Sequence, residues 1–147
     1  MPPSTGRLLA TLICVVALAS GCGDGRPTRV PVSGKVMIDG QPVTRGAIRF
    51  KPTAGRVATG EIGPDGAFTL TTFEPGDGAA IGTHAVTVHA SEELESNAVR
   101  WHVPKKYQRA STSEITQTID GPTDAVVIEL TWDGQKGPFV EKITVSE

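Results

Sequence analysis

From Val30 onward the chain alternates. Val30, Val32, Val36 and Ile38 share one parity, and Arg29, Ser33, Lys35 and Asp39 take the other, the period-two signature of a half-buried strand. Asp39-Gly40-Gln41-Pro42 supplies turn residues, and the run that follows points Ile48 and Phe50 one way and Arg49 and Lys51 the other. The two runs predict a β-hairpin. Further short strands are expected in "VATGEIG", in "AFTLTT" with Phe68 and Leu70 inward, and in "THAVTVHA" with Val86 and Val88 on the core side. "ITQTI", "AVVIELTW" and "PFVEKITV" complete the series, the last with Phe139, Ile143 and Val145 on one parity. About eight short strands, punctuated by Gly, Pro, Asp and Asn and with no helical period between them, predict an all-β fold, a single sandwich over residues 30–145.

Two stretches break the pattern. Residues 91–114, "SEELESNAVRWHVPKKYQRASTSE", show no clean period and are expected to form a long loop. Its acidic start, Glu92, Glu93 and Glu95, reads as a solvated bulge, while Trp101, Val103 and Tyr107 are expected to pin its second half to the sandwich. At the other end, Leu8 to Ala19 is uncharged and mostly apolar behind a single Arg7, the layout of a secretory signal. The run is too short to span a bilayer, which takes about 20 residues.

That run stops at "LASGC", which resembles the lipobox of bacterial lipoproteins. The resemblance implies cleavage before Cys22, a diacylglycerol on its thiol and usually an acyl group on its new amine, so that two or three chains make a stable anchor. Residues 1–21 are then a lipoprotein signal peptide, 22–29 a polar tether, and the mature protein is exported to the cell envelope and held on a membrane by its lipid. Cys14 leaves with the signal, so the mature chain keeps Cys22 alone and forms no internal disulfide. Cleavage also removes Arg7 and leaves 13 basic against 16 acidic side chains, a formal charge of −3. No basic run along the chain points to nucleic acid or anionic lipid as a partner.

The order of motifs carries a second resemblance. "VPVSGKVMIDGQPVTRGAIRFKP", "ATGEIGPDGAFTLTTFEPGDGAAIGTHAVTV" and "VPKKYQRASTSEITQTI" look like the small bacterial lipoproteins built on a carboxypeptidase regulatory-like, or transthyretin-like, β-sandwich. The match runs over roughly residues 30–130, and the segment "WDGQKGPFVEKITVSE" departs from the pattern. The resemblance implies a transthyretin-like or immunoglobulin-like sandwich of about seven or eight strands, and an address in the envelope, rather than a reaction.

Candidate chemistry is sparse. Gly40, Gly66 and Gly78 each follow an aspartate, a pair suited to turns with positive φ. Asp65, Asp77 and Glu74 offer oxygen ligands for calcium but lack the alternating spacing of a calcium loop. Gly76, Gly78 and Gly82 are followed by no Lys-Ser or Lys-Thr, as a phosphate loop would need. His84 shares parity with Val86 and Val88, His89 faces the other way, and neither forms a metal-ligand spacing with His102. Ser111 and Ser113 have no evident base. The expectation is a chain with no catalytic residue, metal or cofactor: a non-catalytic module that engages envelope proteins or surface polymers through edge strands or loops. The alternative is a small-ligand or glycan binder, or a cryptic enzyme, that uses the 91–114 loop with Trp101, His102, Tyr107 and Arg109, since aromatics beside basic groups stack on sugars or hold anions.

Overall fold

The computed structural model describes residues 25–144. The signal stretch, Cys22 and Val145 lie outside the described residues. In chain order the strands are β1 (Arg29–Val30), β2 (Val32–Ile38), β3 (Gln41–Pro42), β4 (Ala47–Pro52), β5 (Ala58–Glu61), β6 (Ala67–Thr69) and β7 (Ala79–Ala80). They continue with β8 (Gly82–His89), β9 (Ser91–Leu94), β10 (Ala98–Trp101), β11 (Ile115–Ile119), β12 (Thr123–Leu130) and β13 (Phe139–Lys142). The only helical turns among the described residues are a 3-10 turn at Lys105–Gln108 and the one-turn α1 at Ala110–Ser113.

Two sheets face each other as a β-sandwich. One has the order β11-β8-β4-β5, and the other runs β12-β2-β3 with β6 also on β2. Alternation sets what each sheet buries: Ile48 and Phe50 of β4 stand opposite Val88 and Val86 of β8, all inward and fully buried. Val32 and Val36 of β2, Phe68 of β6 and Ile128 and Leu130 of β12 close on them from the facing sheet. Phe50 meets Phe68 across the sandwich at 6.1 Å between ring centroids and His84 within its own sheet at 5.8 Å. The expected inward residues of "AFTLTT" and "THAVTVHA" are therefore in the core, and Gly40, Gly66 and Gly78 adopt φ of 80°, 81° and 83° as their turns require.

Most strands were legible, and pairing less so. β2 and β4 do not form a hairpin: Ile38 turns into the two-residue β3, and the chain then crosses to the other sheet, where β4 pairs with β5 and β8. The main partner of β2 is β12, some ninety residues away and parallel to it. That pairing needs Gly34, where a Cβ would lie 2.0 Å from the Val126 carbonyl oxygen.

Residues 91–114 are not a loop. β9 and β10 form a hairpin around Asn97, whose φ is 51°, and β10 also pairs with β13 to make a third, three-stranded sheet. The 3-10 turn and α1 follow. As expected, Val103 and Tyr107 are buried, and the Tyr107 hydroxyl accepts from the Thr131 amide at 3.0 Å, which ties the 3-10 turn to the end of β12. The segment hides its strands because β10 is half-buried on both faces between β9 and β13, which erases a period of two. In β13, Phe139 packs on the core, but Ile143, which shares its parity, is about half exposed, because the strand leaves the sandwich as an edge.

Candidate functional site

The β4–β8 register gives the sandwich two ends. Ala47 lies opposite His89 and Pro52 opposite His84, so residues 45–46 and the β8–β9 junction share one end, while the β4–β5 loop and β7 share the other. β1 pairs with β7, which places the entry of the chain at the second end. Five residue steps of β4 separate them, about 17 Å.

At the end away from the chain entry, four side chains from three segments converge. Glu92 Oε1 meets Arg45 Nη1 at 3.0 Å, and Oε2 meets Arg100 Nη1 at 3.2 Å and His102 Nε2 at 3.4 Å. Glu92 and Arg100 stand opposite each other across the β9–β10 hairpin, a cross-strand pair of opposite charge. The bond with His102 and, against some desolvation, the Arg45 and Arg100 guanidiniums hold the Glu92 carboxyl below its ordinary range. Glu92 is thus the hub of a charge cluster rather than part of a solvated bulge. Glu93 and Glu95, by contrast, are exposed.

Trp101 lies beside this cluster. Its indole N–H donates to Glu141 Oε2 at 3.2 Å, its ring stands nearly perpendicular to that of His89 with centroids 5.9 Å apart, and Lys105 Nζ sits 5.0 Å from its centroid. Lys105 also pairs with Glu141, whose carboxyl is held low first by that bond and then by the indole. Trp101 is therefore held in place by Glu141, His89 and Lys105.

Of the four residues expected to form a ligand site, the structure brings only Trp101 and His102 close, as chain neighbours. Tyr107 is buried under Thr131 and unavailable to a ligand, and Arg109 is exposed beyond the 3-10 turn. A different concave feature lies at this end. A cleft of about 370 Å³ runs between the β2–β3 turn and the segment before β13, bordered by Asp39, Pro42, Thr44, His102, Trp132 and Pro138. Its volume falls in the range of small-molecule pockets, about 300–1,000 Å³. Sequence reasoning missed it because its walls come from residues roughly ninety apart: the Trp132 amide donates to Asp39 Oδ2 at 3.1 Å and joins them.

The remaining candidates serve the fold. The Asp77 carboxylate accepts from three consecutive backbone N–H groups, Thr72 at 2.7 Å, Phe73 at 3.1 Å and Glu74 at 3.2 Å, and Arg29 Nε lies 2.9 Å from Oδ2. Burial alone would raise its pKa, but the three amides and Arg29 outweigh that and hold it below the ordinary carboxylate value. Its oxygens are thereby engaged, and Asp65 caps its own turn through the Ala67 amide, so the calcium alternative does not describe this loop. His84 is buried with Nε2 on the Ala80 carbonyl, His89 bonds Ser91, and the Ser113 hydroxyl donates to the Val86 carbonyl. The three imidazoles stay apart, and among the described residues no three His, Cys, Asp or Glu side chains group as metal ligands.

No family model, curated protein or solved structure matches the chain.

Proposed function

We propose that this protein is a lipid-anchored, non-catalytic module of the cell envelope. Cys22 is its attachment point, and a transthyretin-like, carboxypeptidase regulatory-like sandwich presents its far end to envelope proteins or surface polymers. One observation carries the reading: the chain enters through β1 and β7 at one end of the sandwich, and the Glu92 cluster, Trp101 and the cleft lie at the other. A tether at the first end directs the second away from the membrane. The engagement of Ser113, His84 and His89 in bonds that hold the fold supports a binding rather than a catalytic role.

The test is the intact mass of the protein extracted from membranes of cells that express it, beside a Cys22→Ala variant. A chain that begins at residue 22 and is heavier by a diacylglycerol, with the variant unprocessed or released, is the expected result. An unmodified mass with the protein in the soluble fraction would overturn the anchor.

The cleft favours a second reading, a small-ligand or glycan binder. It predicts binding to a glycan panel that is lost in His102→Ala while the melting temperature stays within a few degrees of the parent, and a panel with no hit at millimolar sugar would remove it.

A further inference from the structure

Of the side chains that border the cleft, only those of Asp39 and His102 can carry charge. Gln41 and Thr44 complete the polar rim, above apolar walls that include Val43 and Trp132. Asp39 and His102 each spend one atom on the fold and keep another. Asp39 Oδ2 accepts the Trp132 amide at 3.1 Å, while Oδ1 accepts no hydrogen bond among the described residues, and the residue is exposed. His102 Nε2 lies 3.4 Å from Glu92 Oε2. A carboxylate only accepts, so Nε2 carries the ring proton and the neutral imidazole keeps Nδ1 as a bare acceptor. Nδ1 makes no hydrogen bond among the described residues and is not one of their buried unpaired polar atoms. It is therefore open to solvent.

Charge narrows the ligand. Arg45 and Arg100 share the single Glu92 carboxylate beside His102, and Asp39 brings a second carboxylate to the rim, so the four formal charges cancel. An anion entering the cleft meets Asp39, and a cation meets two guanidiniums, so neither sign is favoured. The matching ligand is uncharged, donates hydrogen bonds to two acceptors, and carries apolar surface for the walls. We infer that the cleft binds an uncharged sugar ring, whose hydroxyls donate to Asp39 Oδ1 and His102 Nδ1 and whose C–H surface lies on the apolar walls. Glu92 is a positioning residue, because its bond decides which imidazole nitrogen is bare. A site built from acceptors rejects ligands without the matching donors, since the unmatched acceptor is left desolvated. The inference rests on the second reading above, that the cleft is a ligand site, and names the chemistry that the site selects.

The experiment titrates the full chain carrying Cys22→Ser by isothermal calorimetry. The probes are neutral hexamers of glucose, mannose and N-acetylglucosamine, the acidic hexagalacturonate and the basic hexalysine. At least one neutral hexamer is expected to bind about ten-fold or more tighter than both charged probes. Asp39→Asn keeps a carbonyl for the Trp132 amide and suits the φ of 45° at this position. It loses the charged acceptor and should weaken neutral-sugar binding by about ten-fold, with an unchanged melting curve. Long-range proton–nitrogen spectra give a second measurement: His102 Nδ1 should show the signal of a bare nitrogen that shifts when the sugar is added. Glu92→Gln should mix the two tautomers and weaken binding several-fold. Tighter or equal binding of hexagalacturonate or hexalysine overturns the inference, and if His102→Ala removes that binding the cleft still stands as a ligand site. No binding by any probe at millimolar concentration removes both. Neutral-sugar binding that Asp39→Asn leaves unchanged, or a proton on Nδ1 in the neutral ring of the parent, also overturns the inference.

Discussion

Replacing Asp77 by Ala removes the acceptor of three consecutive amides and the partner of Arg29 in one step. Thr72 and Phe73 donate at 2.7 and 3.1 Å and Glu74 at 3.2 Å. The Asp77 side chain is only 15% exposed, so water replaces it poorly. Hydrogen bonds to a charged group contribute about 1.5–3 kcal/mol each, but bonds to one carboxylate are not additive. A loss of roughly 3 kcal/mol is expected, which for a domain of this size lowers Tm by about 12 °C. The same group adds an acid dependence. Its folded pKa lies below the ordinary carboxylate value, so its stabilisation is complete above the unfolded pKa of about 3.9 and is lost as pH falls through the lower folded value. Thermal unfolding from pH 7 down to pH 2.5 should therefore show the parent and Asp77→Ala converging at the acid end. A Tm change below about 4 °C at pH 7, or a gap between the two that persists unchanged at pH 2.5, would refute the view that this carboxylate organises its loop.

Two further substitutions probe the packing. Gly78→Ala places a Cβ 1.7 Å from the Val30 carbonyl oxygen at a φ of 83°, so it should separate β1 from β7 and cost more than about 3 kcal/mol. Gly40→Ala, at a φ of 80° with nothing within 4 Å, should cost only about 1–2 kcal/mol, and similar urea midpoints for the two would contradict the steric argument. Phe50→Ala empties the centre between the sheets, where Phe50 is fully buried against Phe68 and His84, and should cost about 3–5 kcal/mol by chemical denaturation.

The arrangement of chemistry follows from topology. Because β1 binds β7 and β4 runs antiparallel to β8, Arg26, Arg29 and Arg56 gather around the Phe73 ring at the end where the chain enters. The Glu92 cluster and the cleft gather some 17 Å away along the strands. An isolated exposed ion pair contributes little to stability. Glu92 with Arg45, Arg100 and His102 forms a network of three contacts on one carboxylate rather than an isolated pair.

The all-β class, most strand positions and the inward residues Val36, Phe50, Phe68, Val86 and Val88 were present in the sequence, because alternation at period two is a local consequence of one wet and one dry face. Turn glycines after aspartates were legible for the same local reason. What the sequence could not express were pairings that depend on chain folding at a distance. The parallel union of β2 with β12, the crossing of β4 to the opposite sheet and the embedding of β10 between β9 and β13 leave no periodic trace. The placement of Tyr107 under Thr131, of Glu92 among two arginines and a histidine, and of three arginines around Phe73 joins residues from separate segments. Hydrophobic alternation records which face of a strand is dry; only the tertiary structure decides which strand supplies the other wall.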